Sequence, residues 1–175
     1  MNTLTWIVIA LVVVAIYLSQ MAGRLDRLHI RVDNSRRALQ DQLLRRASEA
    51  AELAALPGAT TPDSAVAFDT YSHVVRRDEE INPDIEEALT VALNFALPDA
   101  QTIAAIAGIP GGSEILDELQ GTCRKVEYAK TFHDDAVRQC QTMRRKPIVK
   151  IFRLWGTAAW PERLECDLTQ PDGFA

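Results

Sequence analysis

The sequence predicts an all-α protein in which a single N-terminal transmembrane helix is followed by an antiparallel helical bundle. Three observations support this class. The chain begins with an uncharged, strongly apolar stretch that ends at Gly23. Beyond it, nearly all prolines and glycines fall between stretches of helical periodicity. Alanine, leucine, glutamate, glutamine and arginine dominate the remainder, while aromatic residues make up only 6% of the chain, which favours helices. We expect two long and two shorter helices in the bundle.

The first element is the apolar run from Leu4 to Leu18. A helix of about 20 residues crosses the hydrocarbon layer of a bilayer, and no charged residue occurs before Arg24. A secretory signal peptide is one alternative, but it usually has a basic start and a small-residue cleavage site, which Tyr17–Met21 does not provide. A buried core helix is another, but such a helix rarely lacks polar residues on every face. We therefore interpret residues 1–23 as a retained membrane anchor.

The charges that flank this run predict its orientation. Basic residues close to a spanning helix stay on the cytoplasmic side, and here they all follow the run. We therefore expect a single-pass protein of the cell membrane, with the N-terminus outside and residues 24–175 in the cytoplasm. The basic residues that follow the run are Arg24, Arg27, Arg31, Arg36 and Arg37.

Two long helices carry the core of the predicted bundle. The first extends from about residue 24 to residue 56, where Pro57-Gly58 ends it, and the last begins at Ser113 and is closed or kinked by Pro147. Their apolar residues recur at steps of three and four with one gap, so each helix has an apolar seam, and we expect the seams to face each other. The seams comprise Leu25, Leu28, Val32, Leu39, Leu43, Ala47, Ala50 and Ala54 on the first helix, and Leu116, Leu119, Cys123, Val126, Ala129, Phe132, Ala136, Cys140 and Met143 on the last.

Two shorter helices are predicted between the long ones. Thr61-Pro62 has the pattern of an N-cap and first helical position for a helix that ends near Arg77. Asn82-Pro83 repeats this pattern for a helix over residues 84–97. Residues 98–112 are then a connector with one short helical turn around residues 103–106. This divides the chain into an anchor at 1–23, a bundle at 24–166 and a C-terminal tail at 167–175.

Charge is segregated along the chain, although the formal net charge is only −5. Residues 22–46 carry seven basic and three acidic side chains, and residues 123–160 carry nine basic and three acidic ones. Between them, residues 47–122 carry two basic and fourteen acidic side chains. For an acidic protein held at a membrane, anionic lipid or a protein is the expected partner of the basic segments, and nucleic acid is not.

No motif in the sequence predicts catalysis, a metal or a cofactor. Gly108–Ser113 lacks the Gly-Lys-Ser/Thr ending of a phosphate-binding loop and follows no predicted strand, so we interpret it as a helix connector. The histidines share no metal-ligand spacing and are expected on the surface or in a groove. The cysteines do not suit a disulfide framework and are expected as buried thiols. These residues are His29, His73, His133, Cys123, Cys140 and Cys166.

The basic residues after the last helix predict a membrane-surface contact. An antiparallel order of helices returns the end of the last helix to the membrane, beside the start of the first bundle helix. Basic residues interleaved with apolar ones suit the bilayer interface. An alternative, left open here, is that Ile151, Phe152 and Trp155 fold back and cap the bundle core. The candidate contact residues are Arg24, Arg27, Arg144, Arg145, Lys146, Lys150, Arg153 and Trp155.

Parts of the chain resemble the LemA family, bacterial proteins with one N-terminal membrane helix and a cytoplasmic helical bundle. Val126–Val137 is similar to the family's Arg-rich helix with its aromatic-aromatic-Asn-x-x-Val pattern, although Asp134 stands where the family favours Asn. Gln42–Arg46 is similar to the family's Gln-Leu-x-Arg-Arg. Leu154–Gly156 and Pro161–Glu165 look like its closing region. The resemblance implies a fold and a location, because the family has no agreed biochemical activity.

These observations lead to one main functional expectation and two alternatives. We expect a non-enzymatic, membrane-tethered scaffold or adaptor that binds a protein partner at the cytoplasmic face. The first alternative is a module that senses anionic lipid or envelope stress through the basic segments. The weaker alternative is a protease cofactor, or an enzyme with an unrecognised site in the bundle.

Overall fold

The computed structural model describes residues 3–77 and 80–174, and the regular secondary structure within these ranges is all helical, as predicted. Met1, Asn2 and Ala175, which belong to the predicted anchor and tail, lie outside the described residues. The elements are α1 (Thr3–Ala55), α2 (Pro62–Arg77), α3 (Pro83–Ala96), α4 (Ala100–Ala107), α5 (Gly112–Arg144), α6 (Pro147–Ile151) and a final 3₁₀ turn (Asp172–Phe174).

The predicted anchor and the first bundle helix form one continuous helix, α1. It is long and apolar enough to cross a membrane, and only 6% of its most apolar window is buried within the protein. That exposure distinguishes it from the core helix of a soluble domain. Helices α3 and α4 together are also apolar, but they are bent by 80° to each other. Leu93, Leu97 and Ile106 of this pair are buried in a core, so we interpret it as part of the bundle.

Side-chain caps begin the short helices where the sequence indicates. The Thr61 hydroxyl accepts a hydrogen bond from the backbone N–H of Ser64 at 3.3 Å, and the Asn82 side chain accepts one from the N–H of Asp84 at 3.2 Å. The connector differs from expectation, because α4 has eight residues instead of a single turn. Its N-cap is Asp99, whose carboxylate accepts from the N–H of Thr102 at 2.7 Å. This bond lowers the pKa of the Asp99 carboxyl.

Helix α5 begins at Gly112, so Ser113 lies inside the helix and does not cap it. Two glycines make this start possible. Gly111 has φ +84°, in the left-handed region that favours glycine. A Cβ atom at Gly112 would collide with the carbonyl oxygen of Ile106. The short connection between α4 and α5 therefore requires glycine at both positions.

The described residues form two compact units, to which α1 and α5 each contribute a part. The anchor unit comprises the described part of Met1–Ser35 together with His133–Arg163. The core unit comprises the described part of Arg36–Phe132 together with the described residues from Leu164 onward. Each unit has apolar clusters of its own, which accounts for the division.

In the anchor unit, the apolar seams of α1 and α5 share one buried cluster. Its buried members on α1 include Leu25 and Val32, and those on α5 include Ala136 and Cys140. Val149 of α6 completes the cluster. The predicted pairing of the two seams is therefore confirmed in this unit, and the segment after α5 contributes to its core.

In the core unit, the same pairing holds further along both helices. Leu39 and Leu43 of α1 lie in one buried cluster with Val126 of α5. A larger neighbouring cluster combines α1, α3, α4 and the start of α5 around the buried ring of Phe68 from α2. Helices α2, α3 and α4 thus cover the α1–α5 pair within this unit.

The prediction of the α5 seam is wrong at one residue. Phe132 is 66% exposed, and His133 beside it is buried and lies 3.2 Å from the Ser35 hydroxyl. A seam can continue from Ala129 by a step of three or of four, and hydrophobicity alone selected Phe132. In the structure His133 takes the buried position, where its ring nitrogen reaches the Ser35 hydroxyl.

The C-terminal segment, treated as a tail in the sequence analysis, packs into the core unit. Leu168 and Phe174 are buried. The backbone N–H of Gly173 donates to the carbonyl of Leu97 at 3.0 Å, and the Gln120 side chain donates to the carbonyl of Phe174 at 3.2 Å. The described part of this segment is therefore structural.

Candidate membrane-surface site

The candidate contact residues all belong to the anchor unit, and the structure divides them by exposure. Arg24 and Arg27 are exposed on α1. Trp155 is half-buried, and Arg144 is buried with 5% of its surface exposed. The other four candidates are exposed on the segment that follows α5: Arg145, Lys146, Lys150 and Arg153.

Arg144 is corrected from a surface contact to a structural residue. Its guanidinium lies over the ring of Trp155 at 5.2 Å and over the ring of Trp160 at 5.0 Å. It also donates hydrogen bonds to the carbonyls of Ala158 and Ala159. These contacts desolvate the guanidinium and bind it to the loop after α6. Arg144 therefore holds residues 155–160 against the end of α5.

His29 contributes to the same arrangement from α1. Its Nδ1 lies 3.0 Å from the carbonyl of Leu25, and its Nε2 lies 3.3 Å from a guanidinium nitrogen of Arg144. An Nδ1–H tautomer satisfies both contacts, because it donates to the carbonyl and accepts from Arg144. His29 is thus a half-buried hydrogen-bonding residue, in agreement with the prediction of a surface or groove histidine.

Helix α6 presents apolar side chains in two directions. Val149 is buried in the anchor-unit cluster, and Leu154 and Trp155 pack against it. Ile151 and Phe152 point away and are 73% and 52% exposed. The capping alternative is therefore confirmed for Trp155 only, because Ile151 and Phe152 remain outside the core.

The end of α6 has an unusual backbone. The N–H of Leu154 donates to the carbonyl of Val149 at 3.1 Å, and the N–H of Arg153 donates to that of Lys150 at 3.3 Å. This is the bond pattern of a left-handed helix C-cap, in which the left-handed residue is usually glycine. Here that residue is Arg153, at φ 47°. The chain therefore keeps a long basic side chain at a position that disfavours it.

The core unit contains a buried ion pair that the sequence analysis did not single out. Arg46 and Glu86 are 1% and 3% exposed, and their charged groups are 2.8 Å apart. Arg46 also donates to the Thr90 hydroxyl at 3.1 Å. Burial raises the pKa of the Glu86 carboxyl, and the nearby Arg46 charge opposes that rise. The sequence signal for the burial of Arg46 was its position, because Arg46 follows Leu43 of the α1 seam by three residues.

The core unit also exposes large apolar side chains. Tyr128 and Phe132 lie four residues apart on α5 and are each 66% exposed. Val91 and Phe95 have the same spacing on α3 and are 63% and 73% exposed. Residues four apart lie on one face of a helix. Each of these helices therefore presents a pair of large apolar side chains to solvent, and we call the α5 pair the aromatic face.

The cysteines and histidines show no arrangement for metal or thiol chemistry. Among the described residues, no group of three or more His, Cys, Asp or Glu side chains could hold a metal ion. Burial raises the pKa of the Cys123 and Cys166 thiols to about 11 and also raises that of Cys140. Their thiolates, the reactive forms, are therefore scarce at neutral pH.

Comparison with known proteins identifies no relative. No protein-family model, curated protein or solved structure matches this chain. The resemblance to the LemA family stays a prediction from the residues quoted for it.

Proposed function

We propose that this chain is a non-enzymatic adaptor, tethered to the cell membrane by a single span, whose bundle binds a protein partner in the cytoplasm. The architecture is LemA-like in this proposal. The observation that carries it is the aromatic face of the core unit, Tyr128 and Phe132. Scattered single apolar residues are normal on a surface, but adjacent large ones mark interaction sites. Tyrosine and phenylalanine are enriched in the centres of protein interfaces.

The charges beside the aromatic face suggest the chemistry of the partner. Arg124 and Lys125 precede Tyr128 by four and three residues on α5, and both are exposed. They therefore border the aromatic face on the helix surface. An apolar centre with a basic rim suits a partner that presents apolar side chains with acidic residues around them, because opposite charges speed association and select partners.

Photo-cross-linking in intact membranes tests the adaptor proposal. A photoreactive amino acid is placed at Tyr128 or Phe132 of the full chain, and at Val66 as the control, because Val66 is also exposed and apolar but lies on α2. We expect one discrete protein adduct from the first two positions and none from Val66. Capture of this chain by the tagged adduct protein should fail for the double variant Tyr128→Ala/Phe132→Ala. Equal adducts from all three positions, or none, would contradict the proposal.

The cytoplasmic location has a separate test. The native cysteines are expected to react slowly, because Cys123 and Cys140 are buried, Cys166 is half-buried, and burial raises the pKa of all three thiols. A cysteine introduced at Glu162, which is exposed, should resist a membrane-impermeant thiol reagent in intact cells and react after permeabilisation. The positive-inside pattern of the arginines after the span is the reason for this expectation. Labelling of Glu162→Cys in intact cells would show that residue 162 lies outside the cell, which contradicts the proposed orientation.

A further inference from the structure

We propose that residues 145–153 form a membrane-insertion element. Ile151 and Phe152 enter the apolar edge of the bilayer, while the basic residues beside them bind the phosphates of anionic phospholipids. This inference is independent of the adaptor proposal, because its ligand is the lipid surface and its residues lie in the other unit. The basic residues concerned are Arg145, Lys146, Lys150 and Arg153.

The position of α6 in the anchor unit supports this proposal. Val149, Leu154 and Trp155 belong to the same apolar cluster as Met21 and Leu25 of α1. Since α1 is one helix that rises about 1.5 Å per residue, Met21 and Leu25 lie about 5 Å and about 10 Å beyond the end of the apolar run at Leu18. The headgroup region of a leaflet is about 5–8 Å thick. If α1 spans the bilayer, this cluster therefore lies at the headgroups and their aqueous edge, within reach of lipid.

The composition of the exposed surface also favours contact with anionic lipid. From Ala136 to Pro161 the chain contains six basic residues and no acidic one. Ile151 and Phe152 are among the exposed large apolar side chains of this unit, and they lie between the exposed Lys150 and Arg153. Apolar and aromatic side chains that alternate with basic ones are typical of segments that lie in the membrane interface.

The backbone conformation of Arg153 indicates a role for its side chain. A left-handed conformation is unfavourable for a residue with a Cβ atom, and such strain often marks a functional position. Gly156, three residues later, also has a positive φ and is a glycine, as the backbone alone would require. Arg153 therefore differs from the glycine solution used nearby. We attribute the arginine to its charge, which the left-handed turn presents beside Phe152.

The element is also held in place by contacts of Arg144. Its guanidinium lies over the rings of Trp155 and Trp160 and donates hydrogen bonds to the carbonyls of Ala158 and Ala159. The chain on the C-terminal side of α6 is therefore tied to the end of α5 on its N-terminal side. A surface fixed in this way loses little conformational entropy when it meets lipid.

Spin-label depth measurements on the full chain test the insertion. A nitroxide is attached at Ile151→Cys, and at Ile30→Cys as the control, because Ile30 is an exposed apolar residue of the same unit. The chain is placed in nanodiscs of phosphatidylcholine alone or with phosphatidylglycerol. We expect the label at 151 to be reached by oxygen and shielded from a water-soluble relaxation agent in the anionic discs only, and the label at 30 to remain in water. Equal water access at the two positions in both discs would overturn the proposal.

Charge variants then separate lipid binding from folding. The double change Lys150→Gln/Arg153→Gln should lower the inserted fraction by about fivefold per removed charge, and added salt should do the same. Arg153→Gly removes one charge but relieves the left-handed strain, so it should raise the melting temperature and still reduce insertion. Insertion that is unchanged by both variants would show that the basic residues do not bind lipid, and would refute the proposal.

Discussion

Among the described residues, each unit buries one arginine, and different contacts stabilise the two charges. In the core unit, Arg46 is paired with the carboxylate of Glu86 at 2.8 Å. In the anchor unit, Arg144 is held by two tryptophan rings and two backbone carbonyls. Arg46 follows Arg45 in sequence and Arg144 precedes Arg145, and in each pair the other arginine is exposed. In an Arg-Arg pair, the position of each arginine relative to the apolar seam therefore decides which of the two is buried.

The difference matters for stability. An ion pair buried among apolar side chains stabilises little overall, but the loss of one partner leaves an uncompensated charge. A guanidinium between aromatic rings has no ionised partner to lose, and its contacts are several and individually weaker. Variants of the two sites should therefore differ in the size of their effect and in what restores stability.

The largest effect should come from Glu86→Ala, which leaves the Arg46 charge buried without its carboxylate. We expect the free energy of unfolding to fall by about 3–5 kcal/mol. Chemical denaturation of the full chain in detergent, followed by circular dichroism, measures it. The double variant Arg46→Met/Glu86→Leu should recover most of this loss, and Arg45→Met should change stability little because Arg45 is exposed. A loss of less than about 1 kcal/mol in the free energy of unfolding would show that the Arg46 guanidinium does not remain buried without its carboxylate.

A smaller effect is expected from Arg144→Gln. The change removes both ring contacts and the charge-assisted hydrogen bonds to Ala158 and Ala159, so we expect a loss of about 2–3 kcal/mol. The fluorescence of Trp155 and Trp160 should shift to longer wavelength as their rings gain contact with water. Arg145→Gln is the matched control, and it should leave both stability and emission unchanged. Identical behaviour of the two variants would refute the structural role of Arg144.

The smallest effect concerns Glu49, a partly buried carboxyl of the core unit. Glu49 accepts a hydrogen bond from the Thr122 hydroxyl at 2.9 Å, and burial raises its pKa above the ordinary value of 4.5. A carboxyl with a higher pKa in the folded state binds more protons there, so stability decreases as the pH rises from about 4.5 through the raised value. The charges of Glu118 and Glu52 also raise this pKa, while the Thr122 hydrogen bond and the Lys125 charge oppose the rise.

Melting temperatures between pH 4 and pH 7 check this prediction. In Glu49→Gln, stability should decrease less as the pH rises than it does in the native chain. The difference should be less than about 1 kcal/mol, because the Glu49 carboxyl is only partly buried and water screens it. Asp41→Asn is the control, since Asp41 is exposed on the same helix and does not contribute to the shift of the Glu49 pKa. A steeper pH dependence in Glu49→Gln than in the native chain would contradict the assigned direction.

Features encoded by neighbouring residues could be predicted from the sequence. The start of α2 at Pro62 and the capping of α3 by Asn82 agree with the structure, because a cap bonds only to the next turn of its own helix. The seam from Leu39 to Ala50 is likewise buried as predicted. A helix that is long and apolar enough to cross a membrane was predicted for the same reason, since a run of apolar residues is complete within its own sequence.

Features that depend on contacts between distant residues could not be predicted in this way. Periodicity did not show that His133 replaces Phe132 in the seam, because the partner of His133 is Ser35 on another helix. Composition did not show that Phe174 is buried, because its contacts come from remote parts of the chain. The exposed Ile151 and the buried Val149 lie in one short segment, and only the folded core separates them.

The sequence by itself determined the helical class, the apolar span, most helix ends and the segregation of charge, because each of these depends on residues within a few turns of one another. The tertiary structure decided which charges are buried. Arg46 and Arg144 have the same side chain in the same Arg-Arg context, and what distinguishes them is a carboxylate 40 residues away for one and a pair of tryptophan rings for the other. A buried charge requires a partner, and folding alone brings that partner within reach.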